Sequence, residues 1–293
     1  MEIDLTEKYK PVKLEYTSFS TSDSTESGRA PIILIHGLFG NVSSWNRVKS
    51  EISKMSKRKV YSVTLRNHGE SEYTEEFTLK HITSDLLQFM RDQDINRAIL
   101  FGHSMAGRAC IELALLKPEM VEKLVIEDIV ISDIPNELIY NLKSMMSGMK
   151  KIVSNLPVYM NLNDAHLMVS RFMLKHVVQF AANRVSYDVE KTLLFKKNEK
   201  NGSFEFCSNV DVLLKSLDSI HLYSNDLSVA TVFPGKALFL KGQYSLMPVE
   251  KDKNLILKHF PRAEFSVVKG AFHCIHAENP AEFIRVVTKF LMS

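Results

Sequence analysis

The amino-acid sequence predicts an α/β fold built on a doubly wound, mostly parallel sheet. Short apolar runs alternate with segments of helical periodicity along most of the 293 residues, and this alternation is typical of parallel sheets with helices on both faces. The runs at 31–35 and 98–101 are apolar throughout, as expected of strands that are buried on both sides. The alternation stops between about 130 and 230, so we expect a helical segment to be inserted there.

The individual elements follow from these runs and from the turn residues between them. Strands are predicted at 12–19, 31–35, 60–65, 98–101 and 121–126, and helices at 78–92, at 107–116 and in a stretch that ends near 55. After the insertion we expect a strand at 237–240, a helix near 249–260, a strand at 264–268 and a closing helix at 280–291. The chain therefore divides into a first core part at 1–129, a helical cap or lid at 130–230 and a second core part at 231–293.

The predicted cap is rich in methionine. Its methionines are Met145, Met146, Met149, Met160, Met168 and Met173. Because flexible thioethers fill irregular apolar gaps, these side chains either line an apolar acyl pocket or simply pack between the cap helices. The charged run at 196–202 is expected to be a solvated loop between helices.

Composition and charge argue against several classes of protein. With 45% apolar and 24% charged residues, the chain has the make-up of a globular protein with a sizeable core. A net charge of +3 without a basic stripe gives no reason to expect a nucleic-acid partner. The three cysteines (Cys110, Cys207, Cys274) are widely spaced, which favours a reducing compartment over a disulfide framework or a thiolate metal site. No metal-ligand spacing or dinucleotide motif occurs, so neither a metal nor a cofactor is expected.

Two further patterns concern the compartment. No run approaches the roughly 18 apolar residues that a membrane-spanning helix needs. The first 13 residues mix acidic and basic side chains without an apolar stretch, which is typical of neither a secretory signal nor a transit peptide. We therefore expect an intracellular, cytoplasmic protein without a transmembrane segment.

A serine lies at the tip of a predicted strand-to-helix turn. The run at 98–101 ends in Gly102-His103-Ser104-Met105-Ala106, and a helical pattern begins at Gly107. A nucleophile elbow of this kind holds a serine in strained backbone geometry, with its hydroxyl exposed and the next N–H facing the same point. The usual motif is G-x-S-x-G, and Ala106 takes the place of its last glycine. Alanine still meets the need for a small residue there.

A second strand end supplies candidate hydrogen-bond donors. His36-Gly37-Leu38-Phe39-Gly40 follows the strand at 31–35, and the carboxyl ends of parallel strands meet at one edge of a sheet. The glycines allow a sharp turn, so the N–H of Leu38 or Phe39 is expected to point at Ser104. We assign Leu38, together with the N–H of Met105, as an oxyanion hole for the charge that grows on a carbonyl oxygen.

A serine is a weak nucleophile without an adjacent base, and two late histidines are candidates. His273 follows the strand at 264–268, and His276 stands at the start of the next helix. We favour His273 because the loop after the last strand is where the order Ser…Asp/Glu…His puts the base. His276 is expected to cap or pack there.

The acid is found largely by exclusion. The loop at 241–246, where many enzymes of this kind carry an aspartate, has no carboxylate, and Glu250 and Asp252 already lie in the next helical pattern. The strand at 121–126 ends in Glu127-Asp128. The shorter Asp128, at the strand end, is our candidate for orienting the histidine.

Other polar residues near the predicted edge receive mainly structural interpretations. Glu127 is expected to pair with a basic loop residue such as Arg66, and His68 to brace its loop. His103 is expected to face away along the elbow turn. His103 and Phe39 are nevertheless the two candidates for lining a substrate pocket.

With these residues assigned, the sequence resembles the α/β-hydrolase superfamily, and more narrowly the α/β-hydrolase domain-containing protein 11 family and its bacterial short-chain esterase relatives. The stretches that carry the resemblance are 36–40, 66–69, 102–105, 117–119 and 272–277. The resemblance implies serine esterases and lipases, with sn-1-specific diacylglycerol hydrolysis for animal forms and ester synthesis for fungal forms. It also implies Asp128 as the acid, and a mitochondrial location for animal relatives. That family carries Gly-Gly where this chain has Ala106-Gly107.

The sequence therefore predicts an α/β-hydrolase fold with a helical lid and a serine hydrolase that cleaves carboxylic esters through acyl-Ser104. His273 acts as base and acid, and Asp128 orients it. The expected partner is a small-molecule ester or lipid, such as diacylglycerol, and the oligomeric state is left open. Two alternatives remain: acyl transfer to an alcohol or thiol by the same residues, and a catalytically silent binding module on this fold.

Overall fold

A seven-stranded sheet forms the centre of the computed structural model, which describes residues 5–22, 28–178, 195–218 and 231–293. Its strands are β1 (Tyr16–Phe19), β2 (Ile32–Ile35), β3 (Val60–Val63), β4 (Ala98–His103), β5 (Val121–Glu127), β8 (Lys236–Gly242) and β9 (Ala263–Val268). The order is β1-β3-β2-β4-β5-β8-β9, and only β1 runs antiparallel to its neighbour. The predicted mostly parallel sheet is confirmed, with strand bounds that shift by one to four residues.

The helices of the sheet-forming part lie in the predicted alternation. They are α1 (Leu5–Lys8), α2 (Lys49–Ser56), α3 (Leu79–Asp92), α4 (Met105–Leu116), α8 (Lys253–His259), α9 (Ile275–Glu278) and α10 (Pro280–Met292). Short 3-10 turns precede β5 at Pro118–Met120 and α8 at Val249–Asp252. Helix α4 begins two residues earlier than predicted, directly after Ser104.

Each face of the sheet carries its own core. Every residue of β2 is buried, with Ile33 and Ile35 in one apolar cluster and Ile32 and Leu34 in the other, because successive side chains of a strand point to opposite faces. Residues of α3 and α4 belong to the first cluster, and residues of α2 and α10 belong to the second. This two-sided burial explains why the central strands read as uninterrupted apolar runs.

The inserted segment contains helices α5 (Asn136–Ser154), α6 (Leu162–Val178) and α7 (Val210–Ser216), and also a hairpin of β6 (Phe195–Lys197) and β7 (Phe204–Phe206). The predicted loop between helices at 196–202 is therefore wrong: it comprises part of β6 and the hairpin turn. Phe195 is fully buried in an apolar cluster of the inserted segment, and this burial orders the hairpin. The cluster, called the cap cluster below, consists of Met149, Val153, Leu156, Ala165, Val169, Phe195 and Phe204. The parts of the predicted cap at 179–194 and 219–230 lie outside the described residues.

The cap methionines divide between burial and exposure. Met146 and Met149 are fully buried, whereas Met168 is 51% exposed. Met145, Met160 and Met173 are partly buried against the cap cluster. Among the described residues, none of the helices combines the length and apolar character of a membrane span.

Candidate active site

Ser104 sits at the junction of β4 and α4 in a backbone conformation that side chains rarely adopt. Its φ is 54° and its ψ is −128°, which is strained for any residue with a Cβ. Neighbouring backbone groups hold it there: its N–H donates to the carbonyl of Glu127 at 2.8 Å, and its carbonyl accepts from the N–H of Gly107 at 2.8 Å. The turn therefore presents the hydroxyl at the carboxyl edge of the sheet.

Close backbone packing explains which flanking positions must be small. A Cβ on Gly102 would lie 2.6 Å from the Cα of Gly107, and a Cβ on Gly107 would lie 3.0 Å from Cγ2 of Ile129. Ala106 is fully buried with its methyl group in place. In this chain the close approach falls on Gly102 and Gly107, which is why alanine is accommodated at 106.

The structure brings Ser104, His273 and Asp128 into one chain of hydrogen bonds. Nε2 of His273 lies 3.0 Å from Oγ of Ser104, and Nδ1 lies 2.7 Å from Oδ2 of Asp128. Because the carboxylate only accepts, Nδ1 carries the proton, and Nε2 is left to accept the serine proton. The Asp128 side chain is fully buried and that of His273 is 39% exposed. Such an arrangement can activate a hydroxyl as a nucleophile.

The electrostatic surroundings of His273 favour its protonated form. Burial alone lowers the pKa of His273, but the hydrogen bond and negative charge of Asp128 outweigh this effect, with further contributions from Glu127 and Glu278. The net result is a pKa above the ordinary value of 6.5. A histidine of this kind is well suited to take up a proton and later return it.

Asp128 is held by groups from the loop after β8. Its Oδ1 accepts from the N–H of Gly242 at 3.1 Å, and the hydroxyl of Ser245 donates to Oδ2. The sequence analysis does not identify Ser245 as a partner of Asp128. The available signal was that this loop carries no carboxylate, which leaves its polar side chains free to donate to an acid from another strand. The competing carboxylates are occupied elsewhere: Glu250 pairs with Lys241, and Asp252 accepts from backbone N–H groups at 131 and 132.

Two backbone N–H groups in the loop after β2, those of Leu38 and Phe39, differ in their hydrogen bonding. The N–H of Phe39 donates to Nε2 of His68 at 3.2 Å, whereas the N–H groups of Leu38 and Met105 donate to no acceptor within the described part of the chain. Of the two residues considered from the sequence, Leu38 is therefore the one whose N–H is available. Phe39 takes a φ of 63° in this turn.

His68 has the bracing role predicted for it, in its own loop and also toward the loop after β2. Its Nδ1 donates to the carbonyl of Arg66 at 2.9 Å, so its Nε2 is free of a proton and accepts from Phe39. Burial lowers the pKa of His68 to about 4. His36 is arranged in the same way, accepting from the N–H of Leu65 at 3.0 Å, and burial lowers its pKa to about 3. Both rings are therefore neutral near pH 7.

The predicted pair of Glu127 and Arg66 is wrong. Both carboxylate oxygens of Glu127 lie 2.9 Å from Nδ1 of His276, while Arg66 binds Asp85 through two hydrogen bonds of 2.6 and 2.7 Å. Arg66 follows β3, which lies three places from β5 in the sheet, a separation of about 14 Å. The order of strands, which the sequence does not display, explains the error.

The two predicted pocket residues differ in their burial and in their contacts. His103 is buried, and its Nε2 donates to the backbone carbonyl of His273 at 3.0 Å. Phe39 is partly buried and packs against both a core cluster and the cap cluster. Their contact with a substrate remains a prediction.

The chain is similar to known proteins over most of its length. A family model for the α/β hydrolase fold matches residues 30–280. The chain is 30% identical over 284 residues to an sn-1-specific diacylglycerol lipase, ABHD11, of Danio rerio, covering 96% of this chain and 83% of that protein. It is 23% identical to ethanol acetyltransferase 1 of Wickerhamomyces ciferrii, covering 89% of this chain and 68% of that protein.

Solved structures show the same architecture. A marine microorganism esterase superposes with a TM-score of 0.75 at 23% identity, over 95% of this chain and 99% of that one. This likeness concerns the fold. The family model and the lipase relative, taken with the strand-end geometry, establish that the chain belongs to the α/β-hydrolase family.

Proposed function

We propose that this protein is a serine hydrolase that cleaves carboxylic esters through an acyl-enzyme on Ser104. The observation that carries the proposal is the unbroken hydrogen-bond chain from buried Asp128 through His273 to Ser104, with lengths of 2.7 and 3.0 Å. The similarity to lipase- and esterase-named proteins supports a hydrolase activity.

The first half of the reaction forms the acyl-enzyme. Nε2 of His273 takes the hydroxyl proton as Oγ of Ser104 bonds to the ester carbonyl carbon. The N–H groups of Leu38 and Met105 stabilise the negative charge on the carbonyl oxygen, and Asp128 stabilises the imidazolium. When the intermediate collapses, His273 returns the proton to the departing oxygen, and the alcohol leaves.

The second half releases the acid. A water molecule gives a proton to His273 as its oxygen bonds to the acyl carbon. Collapse of this second intermediate breaks the bond to Oγ, and His273 returns the proton to Ser104. The enzyme is thereby restored, and one ester and one water have become an acid and an alcohol.

We propose a lipid ester, such as diacylglycerol, as the substrate class. Apolar side chains flank the proposed oxyanion hole: Leu38, Phe39 and Met105 pack against the core, and Phe39 also contacts the cap cluster. The name of the Danio rerio relative supports the same class. Since Met146 and Met149 are buried in the apolar clusters, a methionine contribution to an acyl pocket is proposed only for Met145, Met160, Met168 and Met173.

Acyl transfer to an alcohol is the second candidate, favoured by the similarity to an ethanol acetyltransferase. The same residues would carry it, with an alcohol instead of water attacking acyl-Ser104. Product ratios measured in water with increasing ethanol separate the two functions. A ratio of ester to acid far above the molar ratio of ethanol to water would favour the transferase.

Labelling with a fluorophosphonate probe tests the nucleophile directly. We expect stoichiometric labelling of the wild-type protein at Ser104 and no labelling of Ser104→Ala. Hydrolysis would then be measured on a series of esters from short acyl chains to diacylglycerol. Folded wild-type protein that takes no label would instead favour a silent binding module.

Fractionation of the native cells would test whether the protein is cytoplasmic or, as the resemblance implies, mitochondrial.

A further inference from the structure

A second carboxylate–histidine pair lies directly beside the proposed catalytic one. Glu127 immediately precedes Asp128 at the end of β5 and is 1% exposed. Its carboxylate oxygens each lie 2.9 Å from Nδ1 of His276, and Oε1 also accepts the backbone N–H of His276 at 3.1 Å. Two adjacent carboxylates thus bind two histidines that are three residues apart in the chain.

His276 is fixed on its other side by aromatic packing. Its ring stacks on Trp45 with centroids 4.0 Å apart and an interplanar angle of 25°. Both rings are almost completely buried. The start of helix α9, which closes the loop carrying His273 (residues 269–274, the His273 loop), is therefore anchored to the body of the protein.

His103 fastens the backbone of the proposed base itself. The carbonyl of His273 can only accept, so Nε2 of His103 carries a proton and donates it over 3.0 Å. The His103 ring lies 4.8 Å from the His273 ring and 5.3 Å from the His276 ring. Burial lowers the pKa of His103 to about 3, so the ring is neutral near pH 7.

Glu278 adds a third attachment to the His273 loop. Its carboxylate accepts the backbone N–H groups of Phe272 and Cys274, the two neighbours of His273 in the chain. The backbone on both sides of the proposed base is thus held by side chains. Glu127 differs from Glu278 in being almost completely buried and in contacting His276 through three donor–acceptor pairs.

We propose that Glu127 is a positioning residue for the ester chemistry: by holding His276 it fixes the His273 loop, and its buried charge acts on the base. The effects on kcat and on the pH profile rest on the proposed ester hydrolysis, whereas the effects on the His273 loop and on the His273 pKa do not. A purely structural carboxylate would be replaceable by an isosteric amide, since the one carbonyl oxygen of glutamine, placed where Oε1 lies, can accept from both the backbone N–H and Nδ1 of His276. The charge therefore distinguishes the two roles.

Several charged or titratable groups face His273 from the surrounding elements. Glu127 and Asp128 approach from the end of β5, His103 from β4 and Glu278 from α9, and His276 of α9 lies next to His103. Burial opposes ionisation of Glu127, but the charge interaction with His276 and the hydrogen bonds from it act in the opposite direction, and the pKa of Glu127 lies below the ordinary value. Glu127 is therefore negative near pH 7, and removing its charge is expected to lower the pKa of His273.

The primary test compares Glu127→Gln with Glu264→Gln, a matched change at an exposed glutamate of β9. For hydrolysis of p-nitrophenyl acetate, Glu127→Gln should lower kcat by about 10- to 100-fold with little change in KM, as a displaced catalytic group does. The acid limb of its pH profile should move to lower pH. Glu264→Gln should match the wild type in both respects. A wild-type kcat and pH profile in Glu127→Gln would overturn the proposal.

Two variants of His276 keep the proposal testable if Glu127→Gln fails to fold. Both His276→Asn and His276→Ala remove the stacking on Trp45, but asparagine retains a donor close to the Nδ1 position. His276→Asn should therefore keep a higher kcat than His276→Ala, and equal kcat values would contradict the positioning role.

An NMR titration of the His273 ring separates this proposal from the proposed function. The measurement needs no substrate and compares wild-type protein with Glu127→Gln. A lower His273 pKa in the variant supports the inference even if the wild-type protein neither binds fluorophosphonate nor hydrolyses esters, a result that would remove only the proposed function. An unchanged pKa, with the His273 loop resonances also unchanged, overturns the inference whatever the activity.

Discussion

Asp128 accepts hydrogen bonds from Gly242, Ser245 and His273 while completely buried. We predict that Asp128→Asn lowers kcat roughly 10⁴-fold, because an amide cannot hold the required tautomer of the imidazole or stabilise its charge. Ester hydrolysis at saturating substrate measures this effect. Glu250→Gln is the control, since Glu250 pairs with Lys241 at the surface, and its kcat should equal that of the wild type. Full turnover in Asp128→Asn with none in Glu250→Gln would show that the acid is misassigned.

The raised pKa of His273 gives the proposed reaction a defined pH dependence. Only the neutral imidazole can accept the Ser104 proton, so kcat/KM should rise with pH through the His273 pKa. Since Asp128 outweighs burial, the midpoint of this rise should lie above the ordinary value of 6.5. In Asp128→Asn the residual activity should show a lower midpoint. A wild-type midpoint at or below 6.5 would contradict the environment described for His273.

The close packing of β4 against α4 determines which residues of the elbow can carry a side chain. A Cβ on Gly102 would meet backbone atoms of Gly107 at 2.6 and 2.7 Å, and backbone cannot move aside as a side chain can. Gly102→Ala should therefore lower the free energy of unfolding by about 1–3 kcal/mol in urea titrations. Ala106→Gly, which restores the usual motif, should cost only about 1 kcal/mol and retain fluorophosphonate labelling. Wild-type stability in Gly102→Ala would refute this account of the packing.

The sequence predicts those strands and helices whose burial produces a recognisable local pattern of apolar residues. Strands β2 and β4 are buried at every position and therefore read as apolar runs. The hairpin of β6 and β7 was not predicted, because each strand has three residues and two of those in β6 are lysines. The hairpin is stabilised by tertiary contacts, such as the stacking of Phe195 on His166, whose ring centroids are 4.2 Å apart.

The same distinction applies to the candidate site. Ser104, His273 and Asp128 follow strand ends, so the rule that such ends converge is enough to group them. The role of Ser245, and the partners of Glu127 and Arg66, depend on which strands are neighbours and on how loops fold back over the sheet edge. Those contacts arise only from the complete sheet order β1-β3-β2-β4-β5-β8-β9.

For the molecule as a whole, three buried neutral histidines should make stability depend on pH. Burial lowers the pKa of His36 and His103 to about 3 and that of His68 to about 4, from an ordinary value of 6.5. In the unfolded chain they regain that ordinary value, so the unfolded state binds more protons below about pH 6.5. The stabilisation is therefore present above pH 6.5 and is lost as the pH falls toward the folded values. His273, whose pKa is raised, contributes with the opposite sign but is a single group.

Urea unfolding between pH 7.5 and 5.5, above the range in which ordinary carboxyl groups titrate, measures this dependence. Between pH 7.5 and 5.5 each of the three histidines should remove about 1.4 kcal/mol of stability, which is roughly 4 kcal/mol for the three together. His273 acts in the opposite direction and should reduce this loss. His68→Gln keeps a donor and an acceptor without a titrating ring, and its slope should be smaller by about one proton. An equal slope in His68→Gln, or a stability that stays constant across this range, would mean that these histidines are protonated without cost in the folded protein.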